Sequence, residues 1–126
     1  TFVKANCLID YGPVGTFNNS EDLAAVFQEV ACHEYMLESH HAHNPIIKIK
    51  DSTSALGHWS LTYNLINTEN SSIVSLQGEY DDVYQKINDQ WLIQHSEYDR
   101  IWEQVSSIDP SDKFTTILLK DKGMQK

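Results

Sequence analysis

Three histidines stand within four positions of this chain, at His40, His41 and His43, out of six in the whole sequence. Imidazole has the side-chain pKa nearest to neutrality, so such a cluster is typical of proton transfer or metal binding. A second feature is Asp82, a carboxylate on a strand face that is otherwise apolar and aromatic. A carboxylate next to an imidazole fixes its tautomer and raises its basicity, which makes it a general base. These residues predict acid–base chemistry on a small molecule.

Each of these features has a second interpretation. The pair of His40 and Asp82 is either a catalytic pair that meets in a pocket, or a structural acid and an ordinary half-buried ring. His41 and His43 lie two apart, so on a regular strand both point the same way and could be two metal ligands. No further histidine or cysteine pair stands at a matching spacing, so solvent-facing histidines are favoured. The sequence therefore predicts no metal and no cofactor.

Composition narrows the class of protein. The 126 residues predict one domain over 1–126, with a net charge of −9. Nucleic acids and anionic membranes need a basic surface, so neither is a predicted partner. No apolar run reaches the roughly 18 residues of a membrane span, and two cysteines are too few for a disulfide framework. These observations favour a cytoplasmic protein.

The elements that must position the candidate residues are mostly strands. Gly12-Pro13-Val14-Gly15 predicts a turn, Ser20 a helix N-cap, Asn44-Pro45 a bend, and Asn88-Asp89 a tight turn. An apolar run at 114–119 follows the last long strand. The pattern predicts a helix over 20–31 and strands over 2–11, 35–43, 46–50, 55–66, 73–86 and 90–103.

Alternation along the predicted strands assigns side chains to faces. Tyr80 shares a face with Asp82, whereas Glu79 and Asp81 belong to the solvated face. In the last strand Tyr98, Arg100 and Trp102 are predicted to share a face with Leu92. Aromatic residues favour strands in any case, so most of them are interpreted as packing. Tyr11 and Tyr80 are retained as site candidates, because tyrosine hydroxyls can polarise a carbonyl or protonate a leaving group.

Several short motifs in a fixed order carry a resemblance to a known family. They are Tyr11 with Gly-Pro-x-Gly, Ser-His-x-x-His-Asn-Pro, Ala-x-Gly-x-Trp, Gly-x-Tyr-x-Asp-x-Tyr-x-Lys-Ile-x-x-x-Trp and Tyr-x-Arg-Ile-Trp. Over roughly residues 5 to 103 the chain resembles the SnoaL-like branch of the nuclear-transport-factor-2-like superfamily. Within that branch it is most similar to bile-acid 7-alpha-dehydratase and, more distantly, to scytalone dehydratase.

The resemblance implies a fold. The family fold is an α+β cone, in which a strongly curved, mainly antiparallel sheet wraps around helices and encloses a deep pocket. Relatives begin with one or two helices that cover the cone, and the chain is expected to lack these first N-terminal helices. Relatives also associate through sheet faces, so a homodimer or homotrimer is expected.

The resemblance also implies roles for residues. It places the family histidine at His40 and the strand aspartate at Asp82, with Tyr11 as a catalytic hydroxyl. His43 and Arg100 match further family positions and are expected to bind the substrate. Tyr80 and Trp59 are assigned to the same group.

Together the residues and the resemblance predict a cofactor-independent lyase, a dehydratase, or an isomerase. His40 would remove a proton from the substrate, and Asp82 would form a hydrogen bond to the His40 ring and orient it. Tyr11 and Tyr80 would contact the substrate oxygen, and Arg100 would bind a carboxylate or steady Asp82. The substrate would be a small hydrophobic, oxygenated ring compound. The alternative is a non-catalytic binding or assembly module of the same fold, since this fold does not fix function.

Overall fold

A six-stranded sheet forms most of the part of the protein that the structure describes. The computed structural model describes residues 1–4, 6–109 and 111. One α-helix, α1 (Ser20–Val30), and a 3-10 turn at Gly12–Val14 accompany the strands. The strands are β1 (Leu8–Asp10), β2 (Thr16–Phe17), β3 (Met36–Ile49), β4 (Ser54–Asn67), β5 (Ser72–Ile87) and β6 (Gln90–Ser107). Their order across the sheet is β2-β1-β6-β5-β4-β3.

The long strands form an antiparallel meander. β3 to β6 pair with their chain neighbours, while β1 pairs with β6 in parallel, so the sheet is mixed. Asn88 and Asp89 join β5 to β6 with φ values of 50° and 63°. Two residues with positive φ form the hairpin turn whose twist matches that of the strands. The predicted α+β architecture and this turn are confirmed.

Several predicted boundaries differ from the structure, among them the end of β6, which lies at Ser107 instead of 103. The first strand was predicted over 2–11, but β1 covers only Leu8–Asp10. The two strands predicted around Asn44-Pro45 form one strand, β3, in which this dipeptide makes a bulge between His43 and Ile46. The cap of α1 is Asn19, whose side chain accepts a hydrogen bond from the Asp22 backbone N–H at 2.8 Å. The predicted apolar run at 114–119 lies outside the described residues.

The small core lies where α1 and β1 meet the sheet. Cys7, Ile9 and Leu23 are buried together, and Phe17 packs against them. Further along the same face of the sheet, Leu61, Leu65 and Leu76 are buried. We call the face of the sheet that carries Leu61, Leu65 and Leu76 the pocket face. No helix among the described residues is long and apolar enough to span a membrane.

Register confirms the two faces predicted for β5. Asp82 lies between Gly57 of β4 and Ser96 of β6, and both Asp82 and Gly57 are buried on the pocket face. Asp81 points the other way and is exposed. The prediction for β6 was wrong for Trp102, which pairs with Gln77 on the opposite face. A bulge between the pairs Gln77–Trp102 and Gly78–Arg100 shifts the alternation there.

The face opposite the pocket carries an ion pair that makes a first testable prediction. His58 Nδ1 donates to Asp81 Oδ1 at 2.9 Å, and Glu79 lies 3.7 Å from the ring. The hydrogen bond to Asp81 is the main cause that raises the pKa of His58 above 6.5. Asp81→Asn is therefore expected to lower the His58 pKa, measured by NMR titration.

The sign of the pH dependence follows from the raised pKa. The pair stabilises the fold fully below pH 6.5, the value of the unfolded chain, and this contribution is lost as the pH rises through the folded value. Asp89→Asn in the β5–β6 turn removes an equal charge and is expected to leave the His58 pKa nearly unchanged. A His58 pKa insensitive to Asp81→Asn would contradict the assignment.

Candidate active site

A cavity of about 250 Å³ opens on the pocket face between α1 and the strands β3 to β6. Its apolar wall includes Phe27, Met36, Leu61 and Leu76, and its polar wall is built from Tyr11, Glu38, His40, Tyr63, Tyr80, Tyr98, Arg100 and Glu103. An apolar wall with a few convergent polar groups is the usual make-up of a small-molecule site. Among the predicted site residues, Tyr11, His40, Tyr80 and Arg100 line this cavity.

His40 projects from β3 into the cavity. A hydrogen bond of 3.1 Å joins its Nε2 to Tyr80 Oη, and the two rings lie nearly parallel with centroids 6.3 Å apart. Partial burial is the main cause that lowers the pKa of His40 below 6.5. The imidazole is therefore mostly neutral at neutral pH, and a neutral imidazole can accept a proton.

Glu38 is the carboxylate whose charge acts most on His40. It stands two residues earlier on β3 and so on the same face of the sheet. Its negative charge opposes the lowering of the His40 pKa. Tyr63 of β4 holds this carboxylate by donating from Oη to Glu38 Oε1 at 3.1 Å, and its ring meets His40 edge-on at 5.6 Å.

Asp82 does not contact His40, and this corrects the predicted hydrogen bond between them. On β4, Asp82 is paired with Gly57 whereas His40 is paired with Tyr63. Gly57 and Tyr63 are six residues apart on β4, which is about 20 Å of extended strand. His40 and Asp82 nevertheless lie on the same face of the sheet. Alternation gave the correct face but no position along the strand.

Asp82 instead belongs to a buried hydrogen-bond chain beside the cavity. Tyr84 Oη donates to Asp82 Oδ2 at 2.7 Å, and Trp59 Nε1 donates to Tyr84 Oη at 2.7 Å. Asp82 is only 8% exposed, and its Oδ1 has no hydrogen-bond partner among the described residues. Trp59, predicted to bind substrate, thus supports Tyr84 and is not among the cavity-lining residues.

Three tyrosines occupy the space between His40 and Asp82. The ring of Tyr11 lies 5.7 Å from Tyr80 and 6.0 Å from Tyr98, and Tyr80 lies 5.3 Å from Tyr98. Burial, with a smaller contribution from the Asp82 charge, raises the pKa of both Tyr11 and Tyr80. Both hydroxyls therefore stay protonated at neutral pH and can donate hydrogen bonds to a ligand oxygen.

Two further predicted residues have different surroundings from those expected. Arg100 lines the cavity, and its Nη1 lies 2.9 Å from Glu103 Oε2, so its ionic partner in the structure is Glu103 and not Asp82. His43 lies on the opposite face, where its Nε2 is 2.9 Å from Thr62 Oγ1. This corrects the placement of His43 in the pocket: from His40 to His43 is an odd number of steps along a strand, so the two side chains point apart.

The metal interpretation rested on the spacing of His41 and His43. In the part of the chain that the structure describes, no three His, Cys, Asp or Glu side chains are grouped so that they could hold a metal ion. The absence of a metal in the working protein stays a prediction.

Sequence reasoning missed Glu38, Tyr63 and Glu103 as cavity residues. Alternation could have found Glu38, because it shares its face with His40. Tyr63 likewise shares a face with the buried residues Leu61 and Leu65. Glu103 could not be found in this way, since the bulge in β6 shifts the alternation before it.

A second prediction separates the two candidate partners of His40. Glu38→Gln removes the charge that opposes the effect of burial, so it is expected to lower the His40 pKa further. Asp82→Asn is expected to change it less, because Asp82 is remote from the ring. NMR titration of the His40 ring protons measures both variants. A larger change in Asp82→Asn than in Glu38→Gln would restore Asp82 as the partner of His40.

Comparison with known proteins agrees with this architecture. Residues 1–97 match the sequence model of the SnoaL-like domain, so the chain belongs to the SnoaL-like family. A candidate scytalone dehydratase of Novosphingobium aromaticivorans has a similar structure, with a TM-score of 0.69 and 20% identity, over 86% of this chain and 71% of the other. A hexachlorocyclohexane dehydrochlorinase of Novosphingobium barchaimii superposes with a TM-score of 0.74 at 10% identity, over 93% and 78% of the two chains.

A third similar structure has a name of a different chemical class. A candidate aromatic ring hydroxylase of Novosphingobium aromaticivorans gives a TM-score of 0.67 at 14% identity, over 85% of this chain and 73% of that one. At such identities the likeness shows a similar fold and nothing further. The chemistry of this chain has to be argued from its own cavity.

Proposed function

We propose that this protein is a cofactor-independent lyase or isomerase that acts on a small, hydrophobic, oxygenated ring compound. The observation that carries the proposal is the His40–Tyr80 pair, an imidazole whose Nε2 lies 3.1 Å from a phenol hydroxyl at a cavity with one apolar and one polar wall. The proposal takes the tautomer in which His40 Nε2–H donates to Tyr80 Oη, so that Nδ1 is left as the proton acceptor and the phenol O–H is left as the hydrogen-bond donor. The names of two similar structures, a dehydratase and a dehydrochlorinase, both denote eliminations, which supports this class of reaction.

The proposed reaction begins at His40. Its neutral imidazole removes a proton from the carbon next to a ring carbonyl, and the electrons of that C–H bond form an enolate. Tyr80 and Tyr11 donate hydrogen bonds to the oxygen on which the negative charge develops. Stabilising developing charge with preset donors is a large contribution to catalysis in proton abstraction of this type.

Elimination or isomerisation then follows from the same enolate. In a dehydration, the enolate expels a hydroxyl from the neighbouring carbon, and the protonated His40 returns its proton to that hydroxyl, which leaves as water. In an isomerisation, the proton returns to another carbon of the substrate. Protein side chains perform each proton transfer, so the scheme requires no metal or organic cofactor.

Asp82 is assigned a supporting part in this scheme. Its charge contributes to keeping Tyr11 and Tyr80 protonated, and so in the donating form. Its hydrogen bond from Tyr84 holds the carboxylate in place beside them. This assignment differs from the predicted ion pair with His40, because here Asp82 acts on the tyrosines.

The test is a reaction that reports each step. A β-hydroxytetralone is a suitable probe, because loss of water gives a fluorescent naphthol, and exchange of its α-proton in D₂O reports proton removal alone. We expect α-proton exchange above the buffer rate, with or without naphthol formation. Binding of the tetralone without exchange would contradict the proposal and favour the non-catalytic binding module.

A further inference from the structure

One end of the cavity carries more negative than positive charge. We call this end the rim and define it by Glu38, Tyr63, Arg100 and Glu103. The described lining residues include two carboxylates, Glu38 and Glu103, and one cation, Arg100. The positive charge of Arg100 is already paired, since its Nη1 lies 2.9 Å from Glu103 Oε2.

Tyr63 shows that the two carboxylates act at the same place. Its hydroxyl donates to Glu38 at 3.1 Å. Burial is the main cause that raises the pKa of Tyr63, and the charges of Glu38 and Glu103 both add to it. Register places Tyr63 opposite Leu76 and Leu76 opposite Glu103. Glu38, Tyr63 and Glu103 therefore share the pocket face, and both charges favour the protonated form of the hydroxyl.

We infer that the rim selects neutral, hydroxyl-bearing ring compounds and rejects carboxylates. A carboxylate ligand would have to displace Glu103 from Arg100, leaving one of the two anions without its partner. A carboxylate ligand would also lie near the negative charges of Glu38 and Glu103, and like charges brought together discriminate against a ligand. A neutral hydroxyl can instead donate to Glu38 or accept from Tyr63 without breaking the ion pair.

This inference deepens the proposed function, because it concerns the ligands of the same cavity, and it changes the part assigned to Arg100. The sequence predicted a guanidinium that binds a carboxylate of the substrate or steadies Asp82. In the structure, Arg100 and Glu103 form a pair in which each side chain is about one-third exposed, at 36% and 33%. The pair holds the guanidinium in an orientation that faces a protein anion. The net charge of −9 on the chain also disfavours the binding of an anionic ligand.

The experiment compares two ligands that differ mainly in charge. At pH 7 a naphthol is neutral and the naphthoate of the same ring is an anion, and calorimetry gives both dissociation constants. We expect the naphthol to bind at least about tenfold more tightly, equivalent to about 1.4 kcal/mol. Glu103→Gln leaves Arg100 without its anion, so we expect it to tighten naphthoate binding about tenfold and to change naphthol binding less than about twofold.

A control on the opposite face separates a local effect from net charge. Glu79→Gln removes the same charge from the opposite face of the sheet, and we expect it to alter naphthoate binding less than about twofold. Glu38→Gln is a second rim variant for which the same direction as Glu103→Gln is expected, should Glu103→Gln impair folding.

Three results would overturn the inference: equal affinity for both ligands, equal effects of Glu79→Gln and Glu103→Gln, or binding of neither ligand. The first two leave the proposed catalysis untouched, since they concern ligand charge alone. Conversely, absence of turnover together with the expected selectivity would contradict the catalytic proposal and support the inference about the rim.

Discussion

His40→Ala is expected to lower the rate of α-proton exchange in a ring ketone by about 10²- to 10⁴-fold, the usual contribution of a general base. Ligand binding is expected to change little, because most of the cavity wall is apolar or aromatic. Exchange rates followed by NMR in D₂O, with dissociation constants from calorimetry, separate the two effects.

The neighbouring histidine provides the matched control. His43→Ala removes an imidazole from the opposite face, so exchange is expected to continue at the rate of the unaltered protein. The pH profile is a further check. Burial lowers the pKa of His40 below 6.5, so the unprotonated, active form is expected to persist at a lower pH than an ordinary histidine would allow. An unchanged rate in His40→Ala would exclude it as the base.

Gly57→Ala is expected to destabilise the fold by about 1–3 kcal/mol, the typical cost of adding a methyl group where no space exists. A Cβ at this position would lie 2.5 Å from the Tyr84 ring and 3.1 Å from Ile47. Tyr84 would have to move, and its hydrogen bonds with Asp82 and Trp59 would be strained or lost. The free energy of unfolding is measured by urea denaturation.

A second substitution on the same strand isolates this effect. Ser60→Ala makes a change of similar size on the opposite face of β4, and its effect is expected to stay within about 0.5 kcal/mol. The Gly57→Ala variant should also change the near-ultraviolet spectrum of Trp59 if Tyr84 is displaced. Equal stabilities of the two variants would mean that Tyr84 adapts without loss.

The sequence predicted the faces of the strands better than the positions along them. Alternation in β5 placed Tyr80, Asp82 and Tyr84 on the pocket face, and the structure confirms it through their hydrogen bonds. This succeeded because β5 keeps regular alternation over these residues. The burial of Asp82 in an apolar setting was also evident from its neighbours in the sequence.

Contacts between strands could not be predicted in the same way. The partner of His40 depends on the register of three strands, which is fixed by hairpin turns and bulges rather than by the composition of any one strand. A bulge moves the register by one residue, and the bulge between Arg100 and Trp102 places these two side chains on opposite faces of β6. The predicted contact between His40 and Asp82 was wrong because register, which the sequence did not show, places the two side chains on one face but six residues apart along β4.

The parallel pairing of β1 with β6 has a consequence for how the chain folds. β3 to β6 can form as successive hairpins, whose ends are close in sequence, whereas Leu8 pairs with His95 and must wait for nearly the whole meander. Loop-closure entropy must be lost before a contact between distant segments stabilises the chain, so we expect the pairing of β1 with β6 to form after the hairpins. Tyr11 follows β1 directly, so we expect this wall of the cavity to be assembled late in folding, onto a sheet that already holds His40 and Tyr80.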